Sequence, residues 1–108
     1  MYKRGSIVLV PFPFSDLSNN KIRPAIVLST DIKNRDVILV FITSKIHDKY
    51  TVFVPVTPTT RNCLKLPSII VCDKIATLDK KVCLGQIGIL EKETFAKVEV
   101  KIKKAMGL

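Results

Sequence analysis

The sequence predicts one mainly β domain (α+β in class), a small barrel or sandwich of short strands with a single C-terminal helix. Three observations carry that expectation. At 108 residues the chain fits one domain, spanning residues 1–108. Its first three-quarters divides into short β-branched, apolar runs separated by turn residues. Helical periodicity occurs only near the end, where Phe95, Val98, Ile102 and Ala105/Met106 fall on one face.

The elements follow in order. Residues 6–10 form the first strand, extended by Pro11-Phe12-Pro13-Phe14. Proline cannot donate to a ladder, so this end is an edge or a strand exit. Residues 15–23, with Asp16, Ser18, Asn19, Asn20 and Lys21, read as a polar, mobile loop. Residues 25–29 are the second strand, and 30–35 a turn built on Asp31 and Asn34. Residues 36–43 are the third strand. Its unbroken apolar run, Val37-Ile38-Leu39-Val40-Phe41-Ile42, predicts burial on both faces. Residues 51–56 and 68–72 are the fourth and fifth strands, with a turn at 77–81. Residues 83–90 form a sixth strand weakened by Gly85 and Gly88. The helix begins with Glu91 and Glu93, ends with Lys101, Lys103 and Lys104, and is followed by Gly107. Each charge has the sign the helix dipole favours.

Charge narrows the partners. Lys+Arg is 18 against 9 for Asp+Glu, a net +9, which points to an anionic partner: nucleic acid, an anionic membrane or an acidic protein. The apolar stretches 7–13 and 37–42 are too short to span a bilayer. The opening Met-Tyr-Lys-Arg-Gly-Ser does not lead into a signal peptide, so a cytoplasmic location is expected. Cys63, Cys72 and Cys83 are odd in number and widely spaced, and read as free, buried thiols. Only His47, itself expected on a surface loop, remains to join them in a metal site. Asp73 and Asp79 flank Lys74 and read as turn residues. Gly85-x-x-Gly88 lacks the Lys-Ser/Thr and the following helix of a phosphate loop. No Gly-x-Ser-x-Gly elbow is present.

Two pieces with chemistry remain. Arg23 stands where the polar loop enters a strand, held in extended geometry by Pro24. Thr43-Ser44-Lys45 ends the most apolar strand. A guanidinium fork and hydroxyls converging from strand ends suit a single phosphate.

The order of segments resembles the MazF/PemK family, the ribonuclease toxins of type II toxin–antitoxin pairs. The resemblance rests on Arg4-Gly5-Ser6-Ile7-Val8-Leu9-Val10, on Lys21-Ile22-Arg23-Pro24-Ala25-Ile26-Val27-Leu28-Ser29 and on Phe41-Ile42-Thr43-Ser44. It continues through Asp73-Lys74-Ile75-Ala76-Thr77-Leu78-Asp79-Lys80 and Gly85-Gln86-Ile87-Gly88-Ile89-Leu90. It implies an SH3-like small β-barrel with a C-terminal helix, the MazF/PemK/CcdB-like fold, acting as a homodimer. It also implies metal-independent, sequence-specific endoribonuclease activity with no cofactor. On this resemblance the 2′-hydroxyl of single-stranded RNA, messenger RNA above all, attacks the adjacent phosphorus and leaves a 2′,3′-cyclic phosphate and a 5′-hydroxyl. By matching position Arg23 is the catalytic arginine and Thr43 its partner. Phe14, Lys21, Ser44, Lys45, Lys74 and Thr77 are the implied RNA-binding residues, with Phe14 a candidate base-stacking ring. Three neutralised phosphates would give a single-strand salt slope of about −2. A cognate antitoxin, acidic and disordered, is the implied protein partner, and DNA binding belongs to that complex. The chain departs from the family at Ser6, where Asp is usual after Gly5, and at Lys74 and near Lys45, where Gln is frequent. The cleavage motif is therefore not carried over. Two alternatives stand beside this reading. A non-catalytic nucleic-acid or protein-binding barrel would survive loss of Arg23. A gyrase-directed toxin of the same fold would depend on the Met106-Gly107-Leu108 end instead.

Overall fold

The computed structural model describes residues 2–11, 21–31, 35–46 and 48–108. Strands β1 (Ser6–Pro11), β2 (Ile22–Asp31), β3 (Asp36–Thr43), β4 (Phe53–Val56), β5 (Ser68–Asp79) and β6 (Gly85–Ile89) precede helix α1 (Lys92–Met106). They form one antiparallel sheet in the order β4-β5-β3-β2-β1-β6.

β3 lies in the interior of this sheet, and its apolar run explains why. Val37, Leu39 and Phe41 join the core on one face, with Val8, Val10, Ala25 and Val27. Val40 and Ile42 join the core on the other, with Ile7, Ile26, Ile70 and the helix residues Phe95 and Val98. Burial on both faces holds for five of the six residues; Ile38 is the exception, at 38% exposure.

Several expected boundaries move. β2 begins at Ile22, so Arg23 and Pro24 are strand residues and not the end of a loop. Pro24 pairs with Leu9, one residue before the β3 ladder starts at Ala25, so its missing N–H falls where β3 pairing has not begun. β5 runs on to Asp79, so the turn expected at 77–81 is confined to a short 3-10 turn over Lys80–Val82. Val40 pairs with Ile75 while Phe41 pairs with Val71, so Cys72, Asp73 and Lys74 form a bulge. That bulge breaks the alternation and hides the strand's second half from sequence. Asp73 is thus exposed within a strand, whereas Asp79 does shape a turn: its Oδ1 accepts from the Lys81 amide at 2.9 Å. Cys63, expected buried, is exposed; Cys72 is buried.

The helix docks through Phe95, Val98 and Ile102. The predicted face stops there, because Ala105 and Met106 project beyond the sheet into solvent. Gly107 closes the helix at φ 73°, the left-handed cap that glycine adopts without strain. At the other end Arg4 straps helix to sheet. Its Nε donates to the Leu28 carbonyl at 3.0 Å, its Nη2 to Glu99 Oε2 at 2.7 Å, and its guanidinium sits 4.7 Å from the Phe95 ring centroid. Both charged side chains are largely solvated, at 58% and 41% exposure, so screening limits the pair. Arg4→Ala should cost about 1 kcal/mol or less, read as a small fall in the thermal midpoint.

Candidate functional site

Arg23 sits on β2 opposite Val10 of β1. The β2–β3 ladder pairs Ala25 with Phe41, and extending that register by two residues sets Arg23 opposite Thr43. The side chains meet: Arg23 Nη1 donates to Thr43 Oγ1 at 3.0 Å. Thr43 is 6% exposed and its oxygen also accepts from the Lys45 amide at 3.1 Å. A hydroxyl has two lone pairs and one proton. Both lone pairs are occupied here, and among the described residues the proton faces the Lys45 carbonyl at 3.5 Å, the limit of a hydrogen bond. An incoming group therefore meets Thr43 as a donor. Beside a guanidinium, that arrangement suits an anionic oxygen acceptor such as phosphate.

A cleft of about 580 Å³ opens over this pair. Its lining includes Lys21, Arg23, Thr43, Ser44 and Lys45, together with Cys63, Leu64, Lys65 and Leu66 of the loop between β4 and β5, with Leu9, Ile22 and Ile87 adding apolar surface. Among the described residues the lining brings four cationic side chains and no carboxylate. Of the residues expected from sequence, Arg23, Thr43, Lys21, Ser44 and Lys45 come together in this cleft. Lys74 stands in the β5 bulge and Thr77 is exposed on β5 opposite Ile38; neither lines the cleft. Phe14, His47 and residues 15–20 lie outside the described residues. Lys65 lines the cleft and was not found from sequence, since it stands in no motif and some twenty residues beyond Thr43.

The wall carrying Lys65 is tied to the start of the helix. Glu91 Oε2 accepts from Thr59 Oγ1 at 2.6 Å, and its Oε1 accepts from Asn62 Nδ2 at 3.1 Å. Burial works to raise the Glu91 carboxyl, but these hydrogen bonds, one from its own backbone, and nearby Arg61 outweigh it and hold the group below the ordinary glutamate range. A depressed carboxyl contributes stability that is present above the ordinary range and lost as pH falls through the folded value. Thermal melts should therefore show the advantage of the native protein over Glu91→Gln, full at neutral pH, shrinking as pH falls through and below the ordinary glutamate range.

The other two thiols are quiet. Burial, with Asp73 beside it and Lys101 opposing, pushes Cys72 up to about 11. Burial and Asp79 push Cys83 up as well. Neither supplies a thiolate at neutral pH.

Residues 3–106 match the family of PemK-like, MazF-like toxins of type II toxin–antitoxin systems. The chain belongs to this family. MazF from Deinococcus radiodurans superposes with a TM-score of 0.78 at 21% identity, over 99% of this chain and 97% of that one. Toxin MazF-mt6 of Mycobacterium tuberculosis gives 0.74 at 24% identity, over 95% and 97%. An endoribonuclease in complex with its cognate antitoxin, from a mycobacterial species, gives 0.76 at 22% identity, over 100% and 97%. The likeness bears out the mainly β fold with a terminal helix that the sequence predicts. No curated protein matches the chain. Among the described residues no helix of this MazF-like chain is long and apolar enough to cross a membrane.

Proposed function

We propose that this toxin is an endoribonuclease that cuts single-stranded RNA by internal transesterification. The observation that carries the reading is the Arg23–Thr43 hydrogen bond at 3.0 Å inside a cleft lined by cations. The ribose 2′-oxygen bonds to phosphorus and the phosphorus–5′-oxygen bond breaks. The proton leaving the 2′-hydroxyl is balanced by the one the 5′-oxygen gains. The products are a 2′,3′-cyclic phosphate and a 5′-hydroxyl. Arg23 stabilises the charge that builds on the pentavalent phosphorus and relays a proton to the departing oxygen, regaining one from solvent, which takes up the proton of the 2′-hydroxyl. Thr43 donates to a non-bridging oxygen, and Lys21, Ser44 and Lys45 hold the neighbouring backbone.

An acidic antitoxin segment laid across the same cations is the fitting inhibitor, and a cytoplasmic homodimer the fitting form. Solved relatives include a MazE–MazF assembly from Deinococcus radiodurans, which supports the antitoxin partner. The decisive experiment incubates the protein with mixed-sequence RNA in EDTA and maps the ends. Discrete cuts bearing 5′-hydroxyls are the expected result. Intact RNA, or cuts bearing 5′-phosphates, would overturn the mechanism.

A further inference from the structure

The loop between β4 and β5 contributes Cys63 to Leu66 to the cleft lining, and one side chain organises it. Asn62 is completely buried. Its Oδ1 accepts from the amides of Thr59 and Leu64, each at 3.0 Å. Its Nδ2 donates to the Thr57 carbonyl at 2.9 Å and to Glu91 Oε1 at 3.1 Å. Both protons and both lone pairs of the carboxamide are thus in use. Its own amide donates to Thr59 Oγ1 at 3.0 Å, which closes a ring through Glu91.

The next residue shows what this network holds in place. Cys63 adopts φ 57°, the left-handed region that residues with a side chain rarely occupy. This reversal follows directly on Asn62, whose Oδ1 grips the chain on either side of it. Past the reversal, Cys63 to Leu66 line the cleft. Lys65 is exposed there, on a different segment from Lys21 and Lys45, so cations from three parts of the chain surround the Arg23–Thr43 pair.

We infer that Lys65 contacts an RNA phosphate in this cleft and that Asn62 is the positioning residue that keeps it there, an assignment that rests on the function proposed above. Lys65 supplies backbone charge, while Arg23 supplies charge at the reacting phosphorus. Its loss should therefore raise KM and leave kcat nearly unchanged. For single strands each phosphate contact contributes about 0.7 to the salt slope, so Lys65→Met should flatten the slope by about that amount.

Asn62→Ala should reproduce this signature, and the two substitutions should not add, because the second acts through the first. Thr59→Ala, which weakens the same ring more gently, serves if Asn62→Ala does not fold. The probes are mixed-sequence RNA for cleavage and a single-stranded DNA oligonucleotide for binding, which has the charge but lacks the 2′-hydroxyl. Native salt dependence in Lys65→Met would overturn the phosphate contact. Full additivity, or a kcat that falls in step with melting temperature, would reduce Asn62 to a structural residue. If the native protein binds the DNA strand but leaves RNA intact, the ribonuclease reading fails while the binding arm still decides on Lys65.

Discussion

Arg23→Ala should fold like the parent, still bind single-stranded RNA, and cut it about 10²–10³-fold more slowly. The guanidinium sets a planar fork of donors beside Thr43, and the hydrogen bond between them is 3.0 Å. Removing it leaves Lys21, Lys45 and Lys65 around the cleft, so backbone attraction persists while the donor aimed at the developing charge is gone. Arg23→Lys keeps the charge without the fork and should fall between the two proteins. Single-turnover cleavage rates beside RNA-binding curves separate the effects. A variant that cuts within a few-fold of the parent would remove Arg23 from the chemistry, and one that loses binding in proportion would make it an anchoring cation.

Thr43 gives this prediction a companion. Its oxygen holds both Arg23 and the Lys45 amide, so Thr43→Val strands two donors and should cost about 1–3 kcal/mol as well as activity. Thr43→Ser keeps the oxygen and should retain most of both.

Of the four glycines, Gly88 is where an added methyl is expected to do the most damage. A Cβ there would lie 2.3 Å from the Asn62 carbonyl oxygen, 2.6 Å from its carbon and 2.7 Å from the Arg61 oxygen. All three are backbone atoms, so no side chain can rotate away. The Ile89 amide also donates to that Arg61 oxygen at 2.9 Å, so β6 and the loop cannot separate without losing a bond. Overpacking of this kind costs typically about 1–3 kcal/mol, and a rigid backbone contact belongs at the upper end. For a domain of this size that corresponds to a fall of roughly 10–15 °C in the thermal midpoint. Because the displaced backbone carries the wall with Lys65, RNA affinity should fall even well below the melting temperature. An unchanged midpoint would show that the loop yields freely.

The parts legible in the sequence were those where local pattern and neighbouring strands agree. β3 announced itself because a run buried on both faces needs no alternation to be recognised, and its observed bounds match the expected ones. Arg23 and Thr43 were legible as a pair through the family resemblance; the register of β2 on β3 supplies the physical reason they meet. β5 was read at less than half its length because the bulge at Cys72–Asp73–Lys74 shifts the inward-facing positions by an odd number of residues. Lys65 and Asn62 were invisible for a different reason. Their roles arise from a loop folded against β6 and Glu91, and nothing in the segment's own composition records such distant partners.

The Thr43 hydroxyl has a consequence for what the cleft accepts. With its lone pairs engaged by Arg23 and the Lys45 amide, it offers an arriving molecule a proton and nothing to take one. Two strands of equal length are thereby unequal ligands at this point. One that presents an oxygen finds a match, whereas one that carries a methyl in that oxygen's place, or brings an N–H of its own, meets a closed door.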